Sequence, residues 1–243
     1  MNILVFHKIV ENTPTDWADV SLSFFNKLLE SIAQKDLNIA SLNEWKNNNF
    51  GDIALTFDDG LSSDYEFVYP ILCEMNLKAT FFVISDFVGK SGYLSWENIK
   101  EMSDSGMEIA SHSSSHRYMT NLKTREIRSE LENSKMKIED NIGREVCSFA
   151  YPYGDCSDKL NKLVIEAGYS NICNSKPGLN HLNSNLLYRN SIHSNIAVSE
   201  INRVLFPKNY EIALQKIGYE SRRIIKKSLG INNYLKLREL IFN

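Results

Sequence analysis

The sequence predicts an α/β fold: a (β/α) barrel of about seven strands, irregular and TIM-like. Three observations predict it. Short apolar runs alternate with amphipathic stretches of helical period along most of the 243 residues. Polar and ionisable residues gather just after the apolar runs, where a barrel carries its site. No internal repeat, low-complexity segment or Pro/Gly-rich linker divides the chain. An open doubly wound sheet is the alternative arrangement of the same units.

The elements follow in order. Ile3 to His7 is a near-continuous apolar run, the pattern of a strand buried on both faces. Ser21 opens a helix whose apolar positions Leu22, Phe25, Leu28, Leu29 and Ile32 share one face. Asn38 to Ala40 reads as a short strand, and Ser41 with Glu44 has capping-box spacing. Ile53 to Phe57 is a strand ended by the turn signal Asp58-Asp59-Gly60. A helix through Phe67, Ile71 and Met75 follows, then a strand from Ala79 to Ile84. Ser95 caps a helix that stops at Gly106, and Met107 to Ser111 is a strand leading into His112. Thr124 opens a long helix ended by Gly143. Val146 to Ala150 is a strand, followed by Tyr151-Pro152-Tyr153-Gly154. A helix with Leu160, Leu163 and Ile165 inward precedes a strand from Tyr169 to Cys173. After a loop, Leu186 to Ile192 is the last strand, and the remainder is helical.

Composition narrows the class. The formal net charge of −3 argues against a general nucleic-acid binder. No apolar run approaches the roughly 20 residues of a membrane span. The N-terminus reads as a strand and not as a signal peptide, and four cysteines without Cys-x-x-Cys spacing suit a reducing compartment. A cytoplasmic location is therefore expected. The small net charge hides an asymmetry: residues 216–243 sum to +5 and residues 1–215 to −8. We expect a catalytic domain over residues 1–205 and a basic helical tail over residues 206–243. A solvated, salt-bridged helix is the ordinary fate of such a tail; contact with anionic lipid is the alternative.

The candidate chemistry lies at strand ends. His112 and His116, with a carboxylate from a neighbouring strand, form a two-His, one-carboxylate set suited to Zn²⁺, Fe²⁺, Co²⁺ or Ni²⁺. Asp58-Asp59 supplies two carboxylates in a turn, where neighbours point apart. One can bind a cation while the other acts as general base.

Thr56-Phe57-Asp58-Asp59-Gly60 and Ser111-His112-Ser113-Ser114-Ser115-His116 resemble the first two signatures of the polysaccharide deacetylases, the family-four carbohydrate esterases. Ala79-Thr80-Phe81-Phe82-Val83 and Tyr93-Leu94-Ser95-Trp96 are also similar to that family, and the resemblance spans roughly residues 1–195. It implies Asp58 as general base, and Asp59, His112 and His116 as metal ligands. Ser113 falls where the family has a Ser or Thr that supports the metal loop. The third signature here reads Ala150-Tyr151-Pro152-Tyr153-Gly154-Asp155, with Ala150 where many members carry an Arg that holds the catalytic Asp. Arg189 is a candidate substitute, and the resemblance gives the Tyr153 N–H to the oxyanion.

The family's final signature is an apolar strand ending in the His that protonates the leaving amine. Ile3-Leu4-Val5-Phe6-His7 has that character, but at the N-terminus. This resembles the circularly permuted branch that includes the poly-N-acetylglucosamine deacetylases. His7 is then the general acid, His193 its rival, and His181 a bland loop residue. Trp96, Tyr118, Tyr151 and Tyr153 are candidates for stacking on sugar faces, with core packing the alternative for Trp96. The resemblance implies hydrolysis of an N-acetyl group on an amino sugar in a surface-polysaccharide or glycan biosynthetic intermediate. It implies a divalent metal, Zn²⁺ first, and an N-acetylated sugar or glycan as partner. Two readings compete: a degenerate member that only binds glycan, and a two-His, one-carboxylate Fe(II) enzyme.

Overall fold

A computed structural model describes residues 1–229. The chain opens with β1 (Asn2–Phe6), then a small parallel ribbon of β2 (Lys8–Val10) and β3 (Asp19–Ser21). Next come α1 (Leu22–Gln34), α2 (Leu42–Asn48) and β4 (Ile53–Phe57). A π-helical turn over Asp64–Val68 runs into α3 (Tyr69–Glu74), where a single α-helix was expected. Then follow β5 (Thr80–Val83), α4 (Trp96–Asp104), β6 (Glu108–Ser111), α5 (Thr124–Ile142) and β7 (Ser148–Ala150). The described chain closes with α6 (Asp158–Glu166), β8 (Asn171–Cys173), β9 (Leu186–Leu187), β10 (Asn190–Ser191), α7 (Ile201–Leu205) and α8 (Asn209–Leu229). Residues 230–243 of the expected tail lie outside the described residues.

Local signals set most boundaries. The Ser21 and Ser95 side chains cap α1 and α4 by accepting the N–H of Phe24 and Asn98. The predicted Ser41/Glu44 capping box forms at α2. Gly143 ends α5 at φ 69°, a conformation that costs glycine no steric penalty.

The main sheet has eight strands, all parallel, in the order β10-β1-β4-β5-β6-β7-β8-β9. It curls into a distorted (β/α) barrel that does not close, with eight strands where about seven were expected. The reason lies in the last predicted strand. Leu186 to Ile192 does not pair as one unit. Leu186-Leu187 pairs with β8, whereas Asn190-Ser191 pairs with β1 on the opposite edge. Tyr188-Arg189 is the crossing between the two edges, so no ladder joins β9 to β10 there. Sequence period cannot reveal that a short apolar run changes neighbours halfway.

Two apolar layers result. The outer one joins sheet to helices, with Phe6, Phe57 and Phe81 stacked in succession at 5.2 and 5.0 Å between ring centroids. The inner layer is narrow: Ile3, Ala54, Phe82, Ala110, Ala150, Cys173 and Leu187 face one another inside the curl. Ala54, Ala110 and Ala150 are the small strand residues of that layer. On α6 the inward residues are Leu160, Leu163 and Val164, while predicted Ile165 is 51% exposed. Among the described residues, no helix is long and apolar enough to cross a membrane.

Candidate metal and catalytic site

Parallel strands aim all their C-terminal ends at one rim, and that rim collects the predicted residues. His7 follows β1, Asp58-Asp59 follow β4, His112 follows β6, and Tyr151 to Tyr153 follow β7. The Asp58 N–H donates to the Phe6 carbonyl at 3.0 Å, which places Asp58 beside His7 in register. The chain then turns sharply, with Asp59 at φ 79° and Gly60 at φ 68°. A Cβ on Gly60 would meet Val83 atoms at 3.0–3.2 Å, so glycine serves both the turn and the close approach. A non-glycine residue in the left-handed region is strained, and here it is Asp59 that bears the strain.

The histidine loop is built to hold its shape. His112 Nδ1 lies 2.8 Å from the Ala150 carbonyl. A carbonyl only accepts, so Nδ1 carries the proton and Nε2 keeps its lone pair for a cation. Ser113 and His116 are both left-handed, at φ 68° and 57°. The His116 N–H donates to Ser113 Oγ at 3.1 Å, the support expected of Ser113. The Glu130 carboxylate, from α5, accepts the N–H groups of Ser114 and Ser115 at 3.0 and 2.9 Å, and also the Ser115 hydroxyl. Glu130 went unnoticed in the sequence. Its signal was a carboxylate on the buried stripe of Ile127, Leu131, Ser134 and Ile138.

Asp59, His112 and His116 each point one ligand atom to a common centre, all within 4.8 Å of one another. His112 Nε2 and His116 Nε2 lie 3.5 and 3.4 Å from Asp59 Oδ1. Ligands about 2.0–2.1 Å from a tetrahedral ion stand about 3.3–3.4 Å apart, so the spacing fits. Asp59 Oδ1 is buried and has no hydrogen-bond partner among the described residues. Burial, reinforced by His112, lowers the His116 imidazole to about 4, so it is neutral at ordinary pH, as a ligand must be.

Asp58 faces a different partner. Arg189 Nη1 and Nη2 donate to Asp58 Oδ1 and Oδ2 at 2.6 and 2.8 Å, a two-pronged grip. Arg189 Nε donates to the Asn174 carbonyl at 3.0 Å, and the side chain is fully buried. Burial pushes the Asp58 carboxyl up, but Arg189, aided by His112 and His7, overrides it and holds the group at about 2. The Tyr188-Arg189 crossing thus delivers Arg189 to Asp58, the grip that the resemblance suggested for it in place of the Arg missing at Ala150.

Other predicted residues divide. Tyr153 adopts φ 60°, is 43% exposed, and stacks on Tyr118 at 3.7 Å and 2°. Its ring also lies 4.6 Å from that of His116. Tyr151 is buried, its hydroxyl bonded to Asn161, and cannot stack on a sugar. Trp96 packs against the core. His193 stacks on Trp17 at 4.7 Å, and burial lowers its imidazole, helped by Arg222. His181 is an exposed loop residue. Asp64 was unforeseen: fully buried near the site, with neither carboxyl oxygen paired among the described residues.

Residues 46–172 match the profile of the polysaccharide deacetylases. The chain belongs to this family. Asp58, Asp59, His112, His116 and Tyr153 lie inside the matched segment, and His7 and Arg189 outside it. A peptidoglycan-N-acetylglucosamine deacetylase of Bacillus cereus is 32% identical over 126 residues, which cover 51% of this chain and 57% of that enzyme. The Bacillus subtilis protein YxkH is 30% identical over 126 residues, covering 52% of this chain and 45% of YxkH. The chain thus spans about half the length of these curated relatives. Among solved structures, Streptococcus pyogenes deacetylase PplD, in complex with acetate, superposes with TM-score 0.78 at 23% identity. The alignment covers 85% of this chain and 98% of PplD, and establishes likeness of fold. The Bacillus cereus polysaccharide deacetylase BC0361 gives TM-score 0.75 at 25% identity over 84% of this chain and 68% of that one.

Proposed function

We propose that this chain is a metal-dependent hydrolase that removes an N-acetyl group from an amino sugar within a glycan biosynthetic intermediate. The observation that carries the reading is the orphaned Asp59 Oδ1, faced by two imidazole nitrogens and set beside an Asp58 held by Arg189. Asp59, His112 and His116 would hold the cation, and zinc suits their N and O donors. Bound there, a divalent cation supplies the positive charge that polarises an amide carbonyl and acidifies water.

The remaining work belongs to the chain's own groups. Asp58, kept ionised by Arg189, takes a proton from the attacking water as oxygen bonds to the amide carbon. The Tyr153 N–H donates to the oxyanion that forms. The C–N bond breaks as His7 gives its proton to the departing amine, leaving acetate and a free amino sugar. His7 is preferred over His193 because the His193 ring is stacked on Trp17 and burial lowers its imidazole. β1 lies between β10 and β4, which supports the branch whose acid-bearing strand comes first in the chain.

The full chain, loaded with Zn²⁺ and given N-acetylglucosamine oligomers, is expected to release acetate. Chelation should stop the release, and added Zn²⁺ or Co²⁺ should restore it. Asp58→Asn should abolish turnover while metal content stays at the wild-type level. Near-normal turnover by Asp58→Asn would refute the assignment.

A further inference from the structure

The inward face of α8 grips the chain at three places. Ile212, Lys216, Tyr219, Glu220 and Arg223 fall on one side of the helix at helical spacing. Tyr219 Oη donates to the Gly154 carbonyl at 3.2 Å. Lys176 Nζ donates to Glu220 Oε1 at 2.9 Å, and Arg223 Nη1 donates to Glu220 Oε2 at 3.3 Å. Lys216 Nζ sits 5.5 Å from the Tyr188 ring centroid, and Ile212 is buried.

Each of these places adjoins a working part of the site. Gly154 follows Tyr153, whose N–H is assigned to the oxyanion. Tyr188 precedes Arg189, the clamp on Asp58. Lys176 closes a turn after β8 that meets both parts. Asn174 Oδ1 accepts the Lys176 N–H at 2.9 Å and folds that turn back on itself. The Asn174 carbonyl then accepts Arg189 Nε at 3.0 Å, and the Lys176 carbonyl accepts the Arg189 N–H at 3.1 Å. Ser175, between them, presses on the other turn: a Cβ added to Gly154 would fall 2.5 Å from Ser175 side-chain atoms. β7 and β8 are paired neighbours, so Tyr219 and Glu220, about 100° apart around the helix, reach the ends of adjacent strands.

We infer that α8 is a strap across these two turns, with Tyr219 and Glu220 as positioning residues that hold the Tyr153 N–H and the Arg189 grip on Asp58 in one fixed geometry. Neither residue touches the reacting atoms. The turn over residues 174–176 is the joint, since it bonds Arg189 on one side and packs against Gly154 on the other. The Lys176 and Glu220 side chains are 35% and 39% exposed, and ion pairs so placed add little to stability. Their effect is on placement, where a shift of about 1 Å can cost about a hundredfold in rate. The strap stands on contacts alone. Its catalytic consequence rests on the deacetylase reading.

Amide hydrogen exchange and acetate-release kinetics on the full, Zn²⁺-loaded chain test it. Tyr219→Phe/Glu220→Gln should speed exchange in residues 151–155 and 174–189 and leave the rest of the body as in wild type. The same variant should lower kcat about tenfold, with KM within about twofold and metal content unchanged. Leu214→Ser, on the outward face of the same helix, should change neither measurement. The inference is overturned if Tyr219→Phe/Glu220→Gln matches wild type in exchange or in kcat, or if its loss falls on KM instead. It is overturned equally if exchange rises evenly along the chain, which is lost stability and not a lost strap. If the wild-type chain releases no acetate, the catalytic reading fails, and exchange at the two turns alone then decides the strap.

Discussion

Replacing Arg189 with Met keeps an unbranched side chain of similar reach and removes the guanidinium. The wild-type pair is two charge-assisted hydrogen bonds of 2.6 and 2.8 Å in a fully buried setting. Asp58 is held at about 2 against an ordinary 3.8. At about 1.4 kcal/mol per pH unit, that depression is worth on the order of 2 kcal/mol of stability. Because the folded value is the lower one, the contribution is present above about pH 4 and is lost as pH falls through about 2. Arg189→Met also leaves a buried carboxylate unpaired, so the loss at neutral pH should reach about 3–5 kcal/mol. Urea unfolding at pH 7 and at pH 4 measures it, and the gap between variant and wild type should narrow at the acid end. With the guanidinium gone, burial is the dominant influence on Asp58 and drives its carboxyl above 3.8. The acid limb of the acetate-release profile should therefore move to higher pH. Arg189→Met/Asp58→Asn should be more stable than Arg189→Met alone, since no charge is then stranded. A single variant with wild-type stability and an unmoved acid limb would refute the clamp.

Three further perturbations probe the surroundings. Burial, reinforced by Asp59, raises the Asp64 carboxyl well above 3.8, so the folded state carries a penalty that grows as pH rises above about 4. Asp64→Asn should therefore gain in melting temperature relative to wild type as pH rises, with no relative gain below pH 4. Glu130→Gln removes the charged acceptor of the Ser114 and Ser115 groups. Metal titration should find its affinity about 10–100-fold weaker, as is usual for supports behind a ligand. Tyr118→Ala removes the ring stacked on Tyr153 and should lower kcat more than it raises KM, with Tyr118→Phe restoring most of the loss. Equal kcat in the Ala and wild-type proteins would remove Tyr118 from the account.

The metal set was legible in the sequence because local patterns encode it. Asp58-Asp59-Gly60 marks a turn at a strand end, and His112 and His116 share one short loop, so one strand alternation brings both segments to the same rim. Ser113 was legible for the same reason. Glu130 and Asp64 were not, because a carboxylate on a helix is ordinary in sequence and only burial makes it exceptional. Arg189 was legible only as a candidate, named because the third signature lacks the Arg that holds the Asp; its reach to Asp58 could not be derived from the sequence. It lies 131 residues from Asp58, in a run that reads as one strand. What fixes its role is that the run splits, two residues joining β8 and two joining β1. The register that decides this is a property of the whole sheet, whose inner face packs Ala54, Ala110 and Ala150 against larger neighbours. If Ala110 or Ala150 were enlarged to Val, the curl should open and Arg189 should lose its reach to Asp58 before any site residue changed. Such a variant should show the raised acid limb of Arg189→Met with its arginine intact. An Ala150→Val protein with a wild-type limb would mean that the crossing, and not the curl, positions the clamp.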